Sequence, residues 1–166
     1  MAEITLGGTP CNTNGELPPA GKKISGTFVK NDLTLLHLED LKGKKVILNI
    51  FPSVDTAVCS ASVRAFNKYA AELGNTEVVC ISRDLPFAQA RFCGAEGIEN
   101  VITVSDFRSP EFAEELGLRI IDGGFKGLDA RSVLVLDEEG KVTYTELVKE
   151  ISDEPDYESA INAVQG

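Results

Sequence analysis

The sequence is poor in the residues from which metal sites and catalytic triads are built. It has one histidine, His37, and four cysteines, no two of which are spaced as C-x-x-C. The usual zinc spacings are therefore missing. His37 lies in the alternating pattern of residues 35–38, and no Ser-His-Asp set can be built around it. These absences predict no metal site and give His37 no catalytic role.

The sequence also lacks a basic N-terminal region and any long apolar run. It begins Met-Ala-Glu-Ile-Thr-Leu, which predicts no signal peptide and no membrane span, so we expect a cytoplasmic protein. Basic residues are scarce, since 16 Lys and Arg stand against 26 Asp and Glu, for a formal net charge of −10. That charge would be repelled by phosphates, which argues against nucleic acid and anionic membranes as partners.

What the sequence does contain is enough apolar material for one packed domain. The chain has 166 residues, of which 43% are hydrophobic, and this predicts a single domain spanning 1–166. No internal repeat, linker or low-complexity segment divides the chain.

Alternating strand and helix patterns predict an α/β fold. The predicted strands are 3–6, 27–30, 33–36, 45–51, 78–82, 101–104, 132–136 and 142–147. The predicted helices are 57–73, 85–93, 109–116 and a last helix opened by Pro155. Residues 11–26 are predicted to be a loop, Gly74 to close the first helix and Ser109 to cap the third. Such βα units followed by a hairpin imply a central mixed sheet flanked by helices.

The stretch before and after Cys59 carries the clearest chemical pattern. The predicted strand 45–51 is followed by Pro52, and if Thr56 is the N-cap of the next helix, Cys59 is its third residue. Free backbone N–H groups and the positive end of the helix dipole favour a thiolate there, and the thiolate is the attacking form of cysteine. The Thr56 hydroxyl can donate to an incoming oxygen. These groups are what a cysteine needs to cleave a peroxide O–O bond.

Pro52-x-x-x-Thr56-x-x-Cys59 resembles the peroxidatic signature of the peroxiredoxins. Segments 49–59, 91–97, 105–108 and 130–133 resemble the bacterial thiol peroxidase branch, and the resemblance extends from Thr9 to the last helix. It implies a thioredoxin-like fold with an N-terminal β-hairpin extension. It also implies an atypical two-cysteine peroxidase that reduces hydrogen peroxide and alkyl or lipid hydroperoxides.

The resemblance further implies a role for each site residue. Cys59 is oxidised to a sulfenic acid, and Cys93 resolves it as a transient Cys59–Cys93 disulfide within the chain. Arg131 holds the thiolate and polarises the peroxide, Thr56 binds a peroxide oxygen, and Pro52 shields the site. Thioredoxin is the implied reductant, a homodimer is the implied assembly, and no metal, haem or flavin is implied as a cofactor.

Formation of that disulfide predicts a conformational change. A disulfide needs the two Cα atoms within roughly 7 Å of each other, yet both cysteines lie on predicted helices that are anchored to a core. We therefore expect local unwinding near Cys59 and Cys93 on oxidation, eased by Gly94 and Gly97.

Several neighbouring residues are predicted to be structural. Cys80 lies inside an apolar strand and Cys11 in the early loop, although either remains an alternative resolving thiol. Arg108 competes with Arg131 and is expected at a structural or subunit contact. Asp55 would oppose a thiolate if it pointed inward, so we expect it to point outward or into an interface.

Two rival functions remain open at this point. A dithiol–disulfide oxidoreductase of the thioredoxin type would have C-x-x-C at the helix start, but Thr56 stands three residues before Cys59. A redox-sensing or binding module would use the Cys59–Cys93 switch once, without turnover.

Overall fold

The chain folds around a seven-stranded sheet. The computed structural model describes residues 1–165. Its strands are β1 (Glu3–Leu6), β2 (Thr9–Asn12), β3 (Thr27–Lys30), β4 (Leu35–His37), β5 (Lys45–Ile50), β6 (Thr76–Ser82), β7 (Ile102–Ser105), β8 (Ser132–Leu136) and β9 (Val142–Leu147). Its helices are α1 (Ala57–Ala70), α2 (Pro86–Glu96), α3 (Glu111–Glu115) and α4 (Tyr157–Gln165), with a 3-10 turn at Leu38–Leu41.

The order of the strands in the sheet is β4-β3-β7-β6-β5-β8-β9. Strands β5, β6 and β7 are parallel, because α1 and α2 carry the chain back between them. The β8–β9 hairpin pairs antiparallel with β5, and the β3–β4 hairpin pairs antiparallel with β7. The predicted mixed sheet flanked by helices is therefore confirmed, with β1 and β2 as a separate N-terminal hairpin.

A hydrophobic core lies on each face of this sheet, and β5 contributes to both because its side chains alternate. Leu48 faces the first core, which also includes α3 and the N-terminal hairpin. Ile47 faces the second core, under α1 and α4. Cys59 is buried in the second core and Cys93 packs against it, whereas Cys11 is buried in the first. The sheet thus separates Cys11 from Cys59.

Strand β2 lies partly inside the predicted loop. It pairs antiparallel with β1 across a two-residue turn formed by Gly7 and Gly8. Their φ angles of +58° and +84° are what a type I′ hairpin requires, and glycine adopts them without strain. Pro10 weakens the strand pattern of the sequence, but it is tolerated because a two-stranded hairpin has only edge strands.

Helix α1 ends earlier than the sequence predicts. After Ala70, the N–H of Leu73 donates to the Ala70 carbonyl oxygen at 3.3 Å, so the chain tightens into a 3-10-type turn. The left-handed residue that follows is Asn75, with φ of +49°, and not Gly74.

The predicted cap of α3 is wrong. The Ser109 hydroxyl donates to the Thr27 carbonyl oxygen at 2.8 Å and ties this segment to β3, while Pro110 occupies the cap position. Gly117 closes α3, with φ of +73°. Within residues 1–165, no helix is both long and apolar enough to cross a membrane.

Candidate active site

Cys59 lies in the first turn of α1, as the sequence predicts. Thr56 is the N-cap in an extended conformation, and Cys59 is the third helical residue, with no exposed surface. The first helical hydrogen bond runs from Ser60 N to Thr56 O at 3.0 Å. The backbone N–H groups of residues 57–59 therefore have no acceptor within the helix.

The loop that enters α1 is a tight turn between β5 and the cysteine. Pro52 is buried directly after the strand. The Ser53 carbonyl oxygen accepts from Thr56 twice, from its backbone N at 3.2 Å and from its Oγ1 at 3.1 Å. The proton of the Thr56 hydroxyl thus already has an acceptor, so the hydroxyl offers an incoming ligand its oxygen lone pairs and not the donated proton that the sequence suggested.

Arg131 is brought to Cys59 by the fold. It precedes β8, the antiparallel neighbour of β5, and its side chain is 1% exposed. Its Nη2 donates to Cys59 Sγ at 3.1 Å, and its Nε donates to the Ile151 carbonyl oxygen at 2.7 Å. Nη1 is buried and has no hydrogen-bond partner among the described residues. A permanent positive charge therefore lies against the sulfur, with one donor group to spare.

Cys93 lies near the C-terminal end of α2. Its Sγ is 3.2 Å from Thr103 Oγ1, which in turn donates to Asn31 Oδ1 at 3.0 Å. The side chain is half-buried and lines a cleft of about 300 Å³. The helix ends at Gly97, which has φ of +66° and whose N–H bonds the Cys93 carbonyl oxygen. All four cysteines are free thiols, so this is the dithiol form of the protein.

The other two cysteines have environments that suit a structural role. Cys80 is fully buried in β6 and accepts a hydrogen bond from Asn49 Nδ2 at 3.6 Å. Burial raises the pKa of the Cys80 thiol to about 12, so it stays protonated at neutral pH. Burial also raises the pKa of Cys11, with smaller contributions from the Asp122 and Glu150 carboxylates.

Two ion pairs join α2 to the part of the chain that carries Cys59. Arg91 Nη2 lies 2.7 Å from Asp55 Oδ1, and Arg64 Nη1 lies 2.9 Å from Glu96 Oε1. Asp55 therefore points outward, as expected. Arg108 is exposed, with its guanidinium carbon 5.3 Å from the centre of the Phe107 ring.

The composition of the site fits thiol chemistry rather than metal chemistry at its centre. Cys59 contacts a guanidinium and lies beside backbone N–H groups, none of which is a metal ligand. In the part of the chain that the structure describes, no group of three or more His, Cys, Asp or Glu side chains is placed to hold a metal ion. His37 Nδ1 is hydrogen-bonded to Thr27 Oγ1 at 2.9 Å.

Comparison with known proteins identifies the group to which this arrangement belongs. The family model described as Redoxin matches residues 14–161. The chain belongs to the Redoxin family. The predicted resemblance to the peroxiredoxins is confirmed at this level.

Individual relatives of this Redoxin chain are similar over nearly their whole length. A thiol peroxidase of Corynebacterium glutamicum is 53% identical over 165 residues, which are 99% of both chains. A peroxiredoxin-like protein from Aquifex aeolicus superposes with a TM-score of 0.94 at 36% identity, over 99% of this chain and 96% of that one. A thiol peroxidase from Chromobacterium violaceum, at 19% identity and a TM-score of 0.90, has the same fold over 98% of this chain and 95% of its own.

Asp84 also belongs to the site of this Redoxin chain, although no sequence pattern singled it out. Its carboxylate accepts hydrogen bonds from Ser53 Oγ at 2.6 Å, Val54 N at 2.8 Å and Ser82 Oγ at 2.6 Å. The residue lies two positions after the end of β6, which pairs in parallel with β5. The sequence signal that could have identified Asp84 is an acidic residue just after the strand that neighbours β5. Side chains that follow neighbouring parallel strands meet at one edge of the sheet.

Proposed function

We propose that this chain is a thiol peroxidase that reduces hydrogen peroxide and organic hydroperoxides to water and alcohols. The observation that carries the proposal is the hydrogen bond from the buried Arg131 guanidinium to Cys59 Sγ at the N-terminus of α1. A cysteine held in this way is equipped to act as a nucleophile. The 53% identical relative named thiol peroxidase supports the same assignment.

Cys59 performs the first chemical step. Its thiolate attacks the terminal oxygen of the hydroperoxide, and an S–O bond forms as the O–O bond breaks. The departing oxygen takes up a proton and leaves as water or an alcohol. Two electrons pass from the sulfur to the peroxide, so that Cys59 becomes a sulfenic acid.

Three groups bind the peroxide oxygens in this mechanism. Arg131 Nη1 donates to the oxygen under attack, because it is the unpaired nitrogen of the guanidinium that contacts the sulfur. The backbone N–H of Cys59 donates as well. The Thr56 hydroxyl accepts from the peroxide O–H, since its own proton is directed at Ser53. Pro52 is buried beside them and shields the sulfenic acid from water.

Cys93 then resolves the sulfenic acid. Its sulfur attacks the sulfur of Cys59, a disulfide forms, and the hydroxyl of the sulfenic acid leaves as water. Both cysteines lie in intact helices of the dithiol form, so we propose that α2 unwinds around Cys93 during this step. The surface ion pairs of α2 with Asp55 and Arg64 would break with it, at little cost because exposed ion pairs contribute little to stability.

The unwinding step predicts that a stiffer α2 slows disulfide formation. Gly94 lies inside α2, and a Cβ placed there would have no atom within 4 Å. Gly94→Ala should therefore stabilise the helix by about 1 kcal/mol and slow resolution by up to about fivefold, with no effect on the reaction of Cys59 with peroxide. Quenched-flow mass spectrometry measures both steps, the oxidation of Cys59 by the appearance of the sulfenic acid and the resolution by the appearance of the disulfide.

The matched control for this prediction is Gly74→Ala. Gly74 also has free space around its Cα but lies outside the helices, so resolution should keep its wild-type rate. An unchanged rate in Gly94→Ala itself would mean that Cys93 reaches Cys59 without unwinding of α2.

The partners that we propose follow from this cycle and from the surface. An external dithiol must reduce the disulfide by exchange, and we propose thioredoxin for this step in the cytoplasm, where such reductants keep thiols reduced. Leu85 and Phe87, 50% and 67% exposed at the start of α2, support a homodimer contact beside the site. The net charge of −10 supports the proposal that neither nucleic acid nor membrane is a partner.

Arg131 provides a quantitative test of the binding mode. Arg131→Met removes the positive charge and the Nη1 and Nη2 donors. We expect the second-order rate constant of Cys59 with hydrogen peroxide to fall by about 10²–10³-fold, which is the usual effect of losing one electrostatic donor group. Arg131→Lys keeps the charge but not the planar arrangement of several donors, so its rate constant should lie between those of the wild type and Arg131→Met. Rapid quenching followed by intact-mass analysis gives these constants.

Arg108→Met is the control for Arg131→Met, because it removes an exposed guanidinium that stacks on Phe107. It should keep the wild-type rate constant. Circular dichroism would show that each variant is folded. If folded Arg131→Met reacted as fast as the wild type, Arg131 would have no part in the chemical step.

The proposed function itself is tested by peroxide-dependent oxidation of NADPH in the presence of thioredoxin and its reductase. Sustained turnover with hydrogen peroxide and with cumene hydroperoxide is the expected result. Reduction of insulin without peroxide turnover would favour a dithiol–disulfide oxidoreductase. A single oxidation of Cys59 without turnover would favour a redox sensor.

A further inference from the structure

We infer that Asp84 is a positioning residue that holds the loop between β5 and α1 in the conformation that binds peroxide. This inference rests on the proposed peroxidase function. Asp84 does not contact Cys59; it acts through Ser53 and Val54, the two loop residues to which its carboxylate is bonded.

The hydrogen bonds form a continuous path from Asp84 to the peroxide-binding groups. One carboxylate oxygen accepts from Ser53 Oγ, and the other accepts from the backbone N–H of Val54. The Ser53 carbonyl oxygen in turn accepts both the backbone N–H and the hydroxyl of Thr56. The orientation of the Thr56 lone pairs and the start of α1 therefore depend on where Asp84 holds Ser53.

Asp84 is itself held from the other side. Its second oxygen also accepts from Ser82 Oγ at 2.6 Å, and Ser82 Oγ accepts from Gln89 Nε2 of α2 at 3.1 Å. Gln89 is fully buried and also donates to the Val104 carbonyl oxygen at 2.8 Å. The loop is thus attached to two parallel strands, β6 and β7, which are rigid elements of the core.

A positioning role makes a prediction that a merely stabilising role does not. Peroxide cleavage needs donors and an acceptor placed on both oxygens, whereas alkylation of a cysteine by iodoacetamide makes no use of Thr56. A small misplacement of positioned groups can slow a reaction by about 10²-fold. Loss of the Asp84 hydrogen bonds should consequently slow the peroxide reaction selectively.

The experiment compares these two reactions at Cys59 in the reduced full-length protein, without a reductant. We expect Asp84→Ala to lower the rate constant with hydrogen peroxide by about 10- to 100-fold, while the rate constant with iodoacetamide stays within about threefold of wild type or rises. Ser53→Ala, which removes one of the three bonds, should show the same selectivity with a smaller loss. Asp84→Asn keeps the shape and an acceptor oxygen, so it should recover most of the rate with peroxide.

The matched control is Asp137→Ala. The Asp137 carboxylate also organises a turn, by accepting the backbone N–H groups of Glu139 and Lys141 at 2.9 Å. This turn follows the end of β8 that pairs with the start of β5, so it lies far along the sheet from the site. It should alter neither rate constant.

Each outcome decides the inference. Wild-type rates with peroxide in folded Asp84→Ala, or equal losses in both reactions, would overturn the positioning role and leave the peroxidase function standing. A wild-type protein whose Cys59 did not react with peroxide would overturn both.

Discussion

Replacing Cys59 with serine should abolish peroxide consumption. A hydroxyl is a far weaker nucleophile than a thiolate, and the Arg131 donor that contacts the sulfur cannot ionise a serine. We expect a loss on the order of 10⁴-fold or more, the scale on which removal of a catalytic nucleophile acts. NADPH oxidation coupled through thioredoxin measures the loss at steady state, and the mass of the protein after one equivalent of peroxide measures it in a single turnover.

Cys80→Ser is the matched control, since it makes the same atomic change at a buried cysteine on the same face of the sheet. The pKa of Cys80, about 12 because of burial, keeps this thiol protonated, so turnover should survive the substitution. If Cys59→Ser still consumed peroxide and Cys80→Ser did not, the nucleophile would have been assigned to the wrong cysteine.

The half of the site near Cys59 can be derived from the sequence because its determinants are local. A strand ends, a proline stops it and a threonine caps the next helix, all within the residues from Lys45 to Cys59. Capping preferences alone place Thr56 and Cys59 correctly, and the structure confirms both positions.

The other half of the site depends on tertiary structure. Arg131 is separated from Cys59 by 72 residues, and it reaches the sulfur only because β8 pairs with β5. On local grounds an arginine before a strand is usually solvated, so only the family resemblance singled it out. Asp84 is separated from Ser53 by 31 residues, and no motif marked it.

The incorrect cap at Ser109 has a related cause. Serine before proline and a short helix is a strong local signal for an N-cap. The hydroxyl instead bonds Thr27, which is 82 residues away in sequence. A hydrogen bond that joins the start of α3 to the sheet thus replaces the local capping bond, and the Ser109 hydroxyl still has a hydrogen-bond partner.

Replacing Cys93 with serine should separate the two halves of the catalytic cycle. Cys59 should still react with the first equivalent of peroxide at a rate within about twofold of wild type, because Cys93 contacts Thr103 and not the groups around Cys59. Turnover with thioredoxin should then fall by about 100-fold or more, since the sulfenic acid has lost the thiol that converts it to a disulfide.

The readout for Cys93→Ser is the chemical state of Cys59. Dimedone should label it after one equivalent of peroxide, and excess peroxide should oxidise it further to the sulfinic acid. Wild type should instead show a mass loss of two hydrogens and no label.

Persistent turnover in Cys93→Ser would contradict the assignment of Cys93 as the resolving cysteine. The positions of the other two cysteines in the fold then indicate which thiol to test next. Cys80 lies in the same core as Cys59, and its burial slows any reaction that needs its thiolate. Cys11 lies in the core on the opposite face of the sheet, and the sheet would have to open before it could reach Cys59. Loss of the residual turnover in a Cys93→Ser, Cys80→Ser double variant would identify Cys80 as the resolver. If the residual turnover survived in the double variant, the remaining explanation would be direct reduction of the sulfenic acid by thioredoxin, since Cys11 cannot reach Cys59 across an intact sheet.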